Sequence, residues 1–459
     1  MNKGWWVALL FLAGCATTTD YERPSVELPA AWKESGPRYA QDGKWWRIYG
    51  DAQLDGLVEE AFAKNADLAI AVARVDEARA LIREAESGYL PTIDARGGAS
   101  RQQISTRTAT VPPGAPREFS SYRGTLNVSY ELDLFGRVRA GARAAQAEFE
   151  ASEAAREGVR TALAAEVAKS YFTLRALDEQ VQLTRESIGL REDALNLQRK
   201  RREAGITSEF EFRQLEAEAA ALRTQLPPLE RQREAEEAAL SVLLGRTPRE
   251  VFEASVARKA ASAEQPGPLV VPSGMPSELL LRRPDLVEAE RRLAAGNARI
   301  AAARAEMFPS IALTAALGGE SASLSNLFSS GAGIWSLGLA LTQPIFAGGR
   351  LEARTEAAEA RERQLVAAYR KAIQAAFSET RAAISAQARA RESYDAETAR
   401  ADALTETARL ARLRYTNGIA SQLDVIDAER GLLAARSARI EALRQYRAAV
   451  ADLFRALGG

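Results

Sequence analysis

Two hydrophobic periods share this chain. From Ser121 onward, apolar Tyr122, Leu126, Val128, Tyr130 and Leu132 alternate with polar Arg123, Thr125, Asn127, Ser129 and Glu131. Successive side chains of a strand point to opposite faces, so such a segment has one apolar and one polar face. Ile311, Leu313, Ala315 and Leu317 keep the same spacing, as do Trp335, Leu337, Leu339 and Leu341. Four strands are predicted, over about 92–104, 121–134, 310–319 and 333–346. Turn formers separate the members of each pair: Val111-Pro112-Pro113-Gly114 with Pro116, and the stretch 321–333.

Elsewhere the period is seven. Val167, Leu174, Val181, Ile188 and Leu195 fall at coiled-coil spacing. No proline interrupts Arg137 to Glu203, which is thick with alanine, glutamate, arginine and leucine. One helix over about 137–204 is expected, reaching ~100 Å at ~1.5 Å per residue. The segment 350–416 is its twin. Each long helix turns at a glycine, Gly205 or Gly418, and returns through 208–244 or 421–457. On the second return Ile426, Leu433 and Ile440, then Leu443, Val450 and Leu457, again keep sevens. Pro227-Pro228 predicts a kink or break in the first return helix. Shorter helices over about 54–88, broken near Asn65, and about 284–308 run into Pro91 and Pro309. Proline disfavours helical geometry in the residue before it and ends both.

These patterns occur twice, about 215 residues apart. Tyr89-Leu90-Pro91-Thr92-Ile93 recurs as Met307-Phe308-Pro309-Ser310-Ile311. Leu134-Phe135-Gly136-Arg137-Val138 recurs, with one inserted residue, as Ile345 to Leu351. Ala204-Gly205-Ile206-Thr207-Ser208 recurs as Asn417-Gly418-Ile419-Ala420-Ser421, and Asp67-Leu68 with Arg74 as Asp285-Leu286 with Arg291. Four anchors in one order predict a duplicated unit. The expected layout is a leader at 1–14, a tether at 15–50, a first repeat at 51–263, a proline-bearing linker at 264–276 and a second repeat at 277–459.

Composition narrows the chemistry. There is no histidine, so the commonest general base and zinc ligand is missing, and no enzyme is expected. Lysine plus arginine equals aspartate plus glutamate at 61 each, which argues against a nucleic-acid partner. The single cysteine, Cys15, precludes an intrachain disulfide. Lys3 precedes an apolar run from Trp5 to Ala13, too short for the roughly 20 residues of a spanning helix but suited to a secretory signal. Leu12-Ala13-Gly14-Cys15 resembles a bacterial lipobox, which would place a lipid on Cys15 and the chain at the outer membrane, Ala16 standing where an aspartate would signal inner-membrane retention. An exported chain without a spanning helix crosses a membrane as strands. Since barrels need about eight strands or more, four cannot close alone, and the chain is expected to oligomerise. Two copies or three would serve.

Longer motifs point to a family. Trp45-Trp46-Arg47-Ile48-Tyr49-Gly50-Asp51-Ala52-Gln53-Leu54 resembles the entry motif of the outer-membrane factors, the TolC-like efflux lipoproteins. Pro276-Ser277-Glu278-Leu279-Leu280-Leu281-Arg282-Arg283-Pro284-Asp285-Leu286 is similar to that family's mid-chain signature. Gln343 to Arg350 and Asp424 to Arg430 match as well. The resemblance implies a mainly α protein with membrane β: a homotrimer with a twelve-stranded β-barrel, four strands per chain, continuing into a twelve-helix α-barrel through a mixed equatorial domain. It implies an exit duct in the outer-membrane lipid, fed by a periplasmic adaptor and an inner-membrane pump, often of the resistance-nodulation-division class, and no cofactor. A type I protein-secretion channel and a periplasm-spanning coiled-coil lipoprotein are the alternatives.

By the same resemblance Asp424 and Asp427 map to carboxylates at the narrow periplasmic end. Leu423 falls at an apolar constriction and Arg430 at a tethering arginine. Asp424 also reads as half of a helix-capping pair with Ser421, as Glu211 does with Ser208. Asp427 and Arg430 correspond to Gln214 and Ala217, so this charged pair belongs to the second repeat alone. The tips Gly205-Ile206-Thr207 and Gly418-Ile419-Ala420 are candidate adaptor contacts, although each glycine also suits a helix C-cap.

Overall fold

The computed structural model describes residues 21–25, 27, 43–105, 107, 116–253, 256 and 282–459. Cys15, the leader, most of the tether, the linker and the first half of the mid-chain motif lie outside them. The described chain forms two compact units. One gathers Arg74–Glu153 and Glu288–Arg370 with residues 21–25. The other gathers Ala154–Val287, Lys371–Gly459 and residues 27 and 43–73.

The first unit holds one antiparallel sheet of β1 (Thr92–Gln103), β2 (Glu118–Leu132), β3 (Ser310–Ser321) and β4 (Gly333–Thr342), in that order. Leu126 pairs with Ala95 and Leu317, and Leu317 with Trp335, so apolar positions meet across the strands. The opposite face carries Arg123 beside Glu320, with Ser121 donating to Glu320 at 3.1 Å. Beyond the β3–β4 loop at one end, no described element covers the apolar face: Trp335 and Leu337 are 79% and 77% exposed. Several strand limits correct the alternation-based estimate: β2 starts at Glu118 rather than 121, β3 ends at Ser321 rather than 319, and two further ends have a visible cause. β2 ends at Leu132 rather than 134, because Asp133 turns back to accept the backbone N–H groups of Val138 and Arg139 at 3.1 and 2.8 Å. β4 ends at Thr342 rather than 346, since Pro344 has no N–H for the ladder and Gln343 instead donates to the Met307 carbonyl.

Helices α1 (Ala52–Lys64) and α2 (Ala66–Glu86) precede the sheet, and α3 (Arg137–Glu203) and α4 (Glu209–Leu243) follow its first hairpin. A short α5 (Pro248–Glu253) ends the first half. The second half repeats the order with α6 (Pro284–Ala305), α7 (Arg350–Thr416) and α8 (Gln422–Leu457). Among the described residues no helix is long and apolar enough to cross a membrane. In the first unit Arg23 fixes the N-terminal segment by two hydrogen bonds of 2.7 Å to Glu290 on α6.

The second unit owns the larger core. Trp45 and Trp46, in a 3-10 turn, are buried with Leu54, Val58, Phe172, Leu174, Leu240 and Val450. Trp45 stacks on Phe454, with centroids 5.2 Å apart. Asp51 joins the turn to α1 and α3 at once. One carboxylate oxygen caps α1 at the Gln53 N–H, and the other accepts Tyr171 Oη at 2.7 Å and Arg175 at 2.9 Å. Burial, together with that bond to Asp51, pushes the Tyr171 hydroxyl up to about 12. The break expected near Asn65 falls on that residue, whose amide donates to the Leu243 carbonyl while its oxygen accepts the Leu68 N–H.

Pro227-Pro228 does not break the first return helix. α4 runs through both, and both are exposed, so carbonyls left without their i+4 donors can turn to water. Arg283 secures the far end of the unit. It is buried, donates to the last-turn carbonyl of Ala456 at 3.0 Å, and pairs with Asp285 and Glu379 at 2.7 and 2.8 Å. Arg283→Ala should therefore lower stability by about 2–3 kcal/mol, seen as a lower thermal midpoint with the same far-ultraviolet spectrum.

Candidate gate at the helical tips

The two helix–helix turns lie in the second unit and are built alike. Gly205 and Gly418 share φ 73°, a left-handed value that a side chain resists. The N–H of Ile206 closes on the Arg201 carbonyl at 2.8 Å and that of Ile419 on Arg414 at 2.9 Å, satisfying the last helical carbonyls. Ser208 with Glu211, and Ser421 with Asp424, then start the return helices as full capping boxes. Apolar side chains are left standing in water at both turns: Ile206 is 75% exposed and Ile419 67%. Phe210, absent from the motif-based set, is 76% exposed beside them.

The four expected gate residues separate by role. Asp424 is committed to its cap: the Ser421 hydroxyl at 2.8 Å and backbone N–H at 2.7 Å hold its carboxyl below the usual carboxylate range. Leu423 is exposed on the same turn. Asp427 lies 3.7 Å from Arg430, an exposed i,i+3 contact of the kind that contributes little. Arg430 has a stronger partner. Its guanidinium grips Glu218 on α4 through two nitrogens, Nε at 2.8 Å. These bonds hold the Glu218 carboxyl below its usual range. The motif match missed Glu218, although it stands one residue beyond Ala217, the repeat counterpart of Arg430. An oppositely charged neighbour of the repeat mate was the available signal.

Next to this link, Glu429 joins two more helices to α8. It accepts Arg412 of α7 at 2.8 Å and Arg191 of α3, whose side chain is buried, at 3.1 Å. The two links border a cavity of about 80 Å³ lined by Leu183, Leu190, Leu222 and Leu433. Closer to the turns, Tyr415 of α7 accepts Arg201 of α3 at 2.9 Å and donates to Gln422 of α8 at 3.1 Å. Buried Gln198 also donates to Gln422. The apolar contribution is small: Leu195, Phe212, Leu215, Ala219 and Ile426. Arg202 lies 4.1 Å over the Phe212 ring. Polar links thus hold four helices together where the apolar cluster is thin. Among the described residues no group of acids is placed to hold a metal ion.

Comparison with known proteins agrees with the sheet and the paired long helices. The model of the outer membrane efflux protein family matches residues 57–246 and 275–459. The chain is 35% identical to the probable efflux pump outer membrane protein TtgC of Pseudomonas putida, over 99% of this chain and 94% of that one. It is 36% identical to the outer membrane protein OprJ of Pseudomonas aeruginosa, over 98% and 94%. The crystal structure of a membrane protein from Pseudomonas aeruginosa superposes with a TM-score of 0.87 at 35% identity, covering 97% of this chain and all of that one. The chain belongs to the outer membrane efflux protein family. It is an outer-membrane protein and serves as the exit duct of an efflux system.

The Glu218 shift fixes a pH response. A depressed carboxylate contributes fully above its unfolded value and loses that contribution as pH falls through the folded one. Arg430→Ala should speed amide exchange in the first turns of α8 about five-fold, or roughly 1 kcal/mol. Wild-type protection, corrected for intrinsic exchange, should fall toward the variant's as pH drops below about 4.

Proposed function

We propose that three copies of the chain close into one passive duct, and that the helical tips form its gate. The carrying observation is the four-stranded sheet, whose outer strands β1 and β4 each have one edge unpaired among the described residues and whose apolar face is largely exposed. In hydrocarbon, open edges leave backbone groups unpaired. Pairing β1 of one copy with β4 of the next removes every edge. Three copies of four strands give a twelve-stranded barrel, within the range of closed membrane barrels. The twofold internal repeat then supplies two long helices and two return helices per copy, so three copies give a tunnel of twelve. Residues around Trp45 and Trp46 belong to an equatorial layer in this reading, and Cys15 carries the lipid that tethers the N-terminus.

At the tip, Asp427 faces the conduit and Leu423 narrows it. Asp424 adds charge while capping α8, and Arg430 holds α8 to α4 through Glu218. Three copies of an exposed acid around one axis would concentrate cations there. The apolar tips, Gly205-Ile206-Thr207 and Gly418-Ile419-Ala420 together with Phe210, meet a periplasmic adaptor, which couples the duct to an inner-membrane pump. The duct itself catalyses nothing, and energy comes from the partners.

Purified from outer membranes without boiling, the protein should migrate as a trimer and collapse to a single chain on heating. A monomer under both conditions counts against closure by three copies. In planar bilayers Asp427→Ala should raise single-channel conductance and weaken divalent-cation block several-fold; unchanged conductance and block would remove Asp427 from the gate.

A further inference from the structure

The connection between β3 and β4 is folded onto the sheet, and the face it covers can be identified. Residues 324–326 form a 3-10 turn, closed by hydrogen bonds from Asn326 N–H to the Ser323 carbonyl at 3.2 Å and from Leu327 N–H to the Leu324 carbonyl at 3.3 Å, and a bond from Ala332 N–H to the Ser329 carbonyl at 3.1 Å closes the turn that follows. Gly124 and Gly319 pair directly across β2 and β3. A side chain built on Gly124 would touch the Leu327 side chain at 3.8 Å, and one on Gly319 would meet the Leu327 carbonyl oxygen at 2.5 Å. Gly319 therefore opens the notch that receives the loop at Leu327, with Gly124 beside it in ordinary contact range.

Alternation assigns the face. Gly124 shares its side with Leu126, Val128 and Tyr130, and Gly319 shares its side with Leu313, Ala315 and Leu317. Arg123 and Glu320, the charged pair, point the other way. The loop thus folds over the apolar side of the sheet and away from the polar side. The loop also carries two apolar side chains that no described residue covers, Leu324 and Phe328, which are 64% and 95% exposed. The face onto which Leu327 folds also carries the exposed column of Trp335, Leu337, Leu339 and Leu341. A loop serving only as a turn in water gains nothing by presenting a bare phenylalanine.

We infer that the β3–β4 loop is a membrane-anchoring wedge. Leu324 and Phe328 insert at the headgroup–acyl boundary of the leaflet around the helix-distant end of the sheet, while Leu327 locks the wedge into the Gly124/Gly319 notch. The occupant is lipid. The inference rests on the reading above in one respect, that the apolar face of the sheet meets hydrocarbon.

Photocrosslinking of the full chain in its native outer membrane tests it. p-Benzoyl-phenylalanine replaces Phe328 in one strain and Leu337, mid-strand on β4, in another; neither position lies in a packed core, so folding is preserved. On illumination, residue 328 should form lipid adducts within about two-fold of the yield at residue 337. Lipid adducts at 337 but none at 328, or adducts from 328 to a second copy of the chain or to another protein, would overturn the wedge and leave the barrel standing. Lipid adducts at neither position would remove the membrane face of the sheet and the wedge with it.

Discussion

A β-sheet in hydrocarbon has no water to finish its hydrogen bonds, and that constraint organises the rest of this protein. The described residues supply four strands in sequential order, with exposed apolar side chains along one face and an unpaired edge on either side. Everything that makes the sheet unsatisfactory alone makes it satisfactory in a ring. The same argument explains the split of polar and apolar residues across β2 and β3. Arg123, Glu320 and Ser121 bond to one another on the side away from the apolar column, where a water-filled lumen would receive them. Alternation is therefore a record of two solvents.

The helical unit meets the opposite requirement. Here apolar groups are covered within the chain, by Trp45, Trp46 and the residues of α1, α3, α4 and α8 that close around them. Asp51 carries much of the organisation, because one carboxylate caps a helix, receives a tyrosine and pairs with an arginine. Toward the tips the apolar cluster shrinks to five residues and polar links take over. Ion pairs and amide contacts are directional, and most here are partly wet, so each can be exchanged for water at small cost. A tip held in this way can be firm at rest and still separable. The large aromatic core around Trp45 has no such exchange available.

How much of this was legible in the sequence depended on whether a feature is periodic. Val167 through Leu195 announced a long helix because every seventh residue must face a neighbour. Tyr122 through Leu132 announced a strand for the corresponding reason at period two. Gly205 and Gly418 marked turns because their backbone angle excludes most side chains. The Arg430–Glu218 bond was faint because it joins residues 212 apart, and its only signal, an opposite charge beside the repeat mate, is one that many pairs satisfy. Pro227-Pro228 predicted a kink or a break, and the break is absent. The rule that proline breaks helices assumes that the freed carbonyls have nowhere to go, and on an exposed surface they do. Asp424 was ambiguous in the sequence, and the structure resolves only its local part: the capping bonds are present.

Those two prolines carry a mechanical consequence. Without their N–H groups the carbonyls of Arg223 and Thr224 lack i+4 donors, so α4 has a soft point that α8, its repeat counterpart, does not share. Ancestral symmetry between the two halves has thus been lost in stiffness as well as in charge. In the proposed trimer, compliant and rigid return helices would alternate around the axis. Such a ring, on dilating, would flex in three sectors rather than six, and the compliant member of each sector would be the one that holds Glu218.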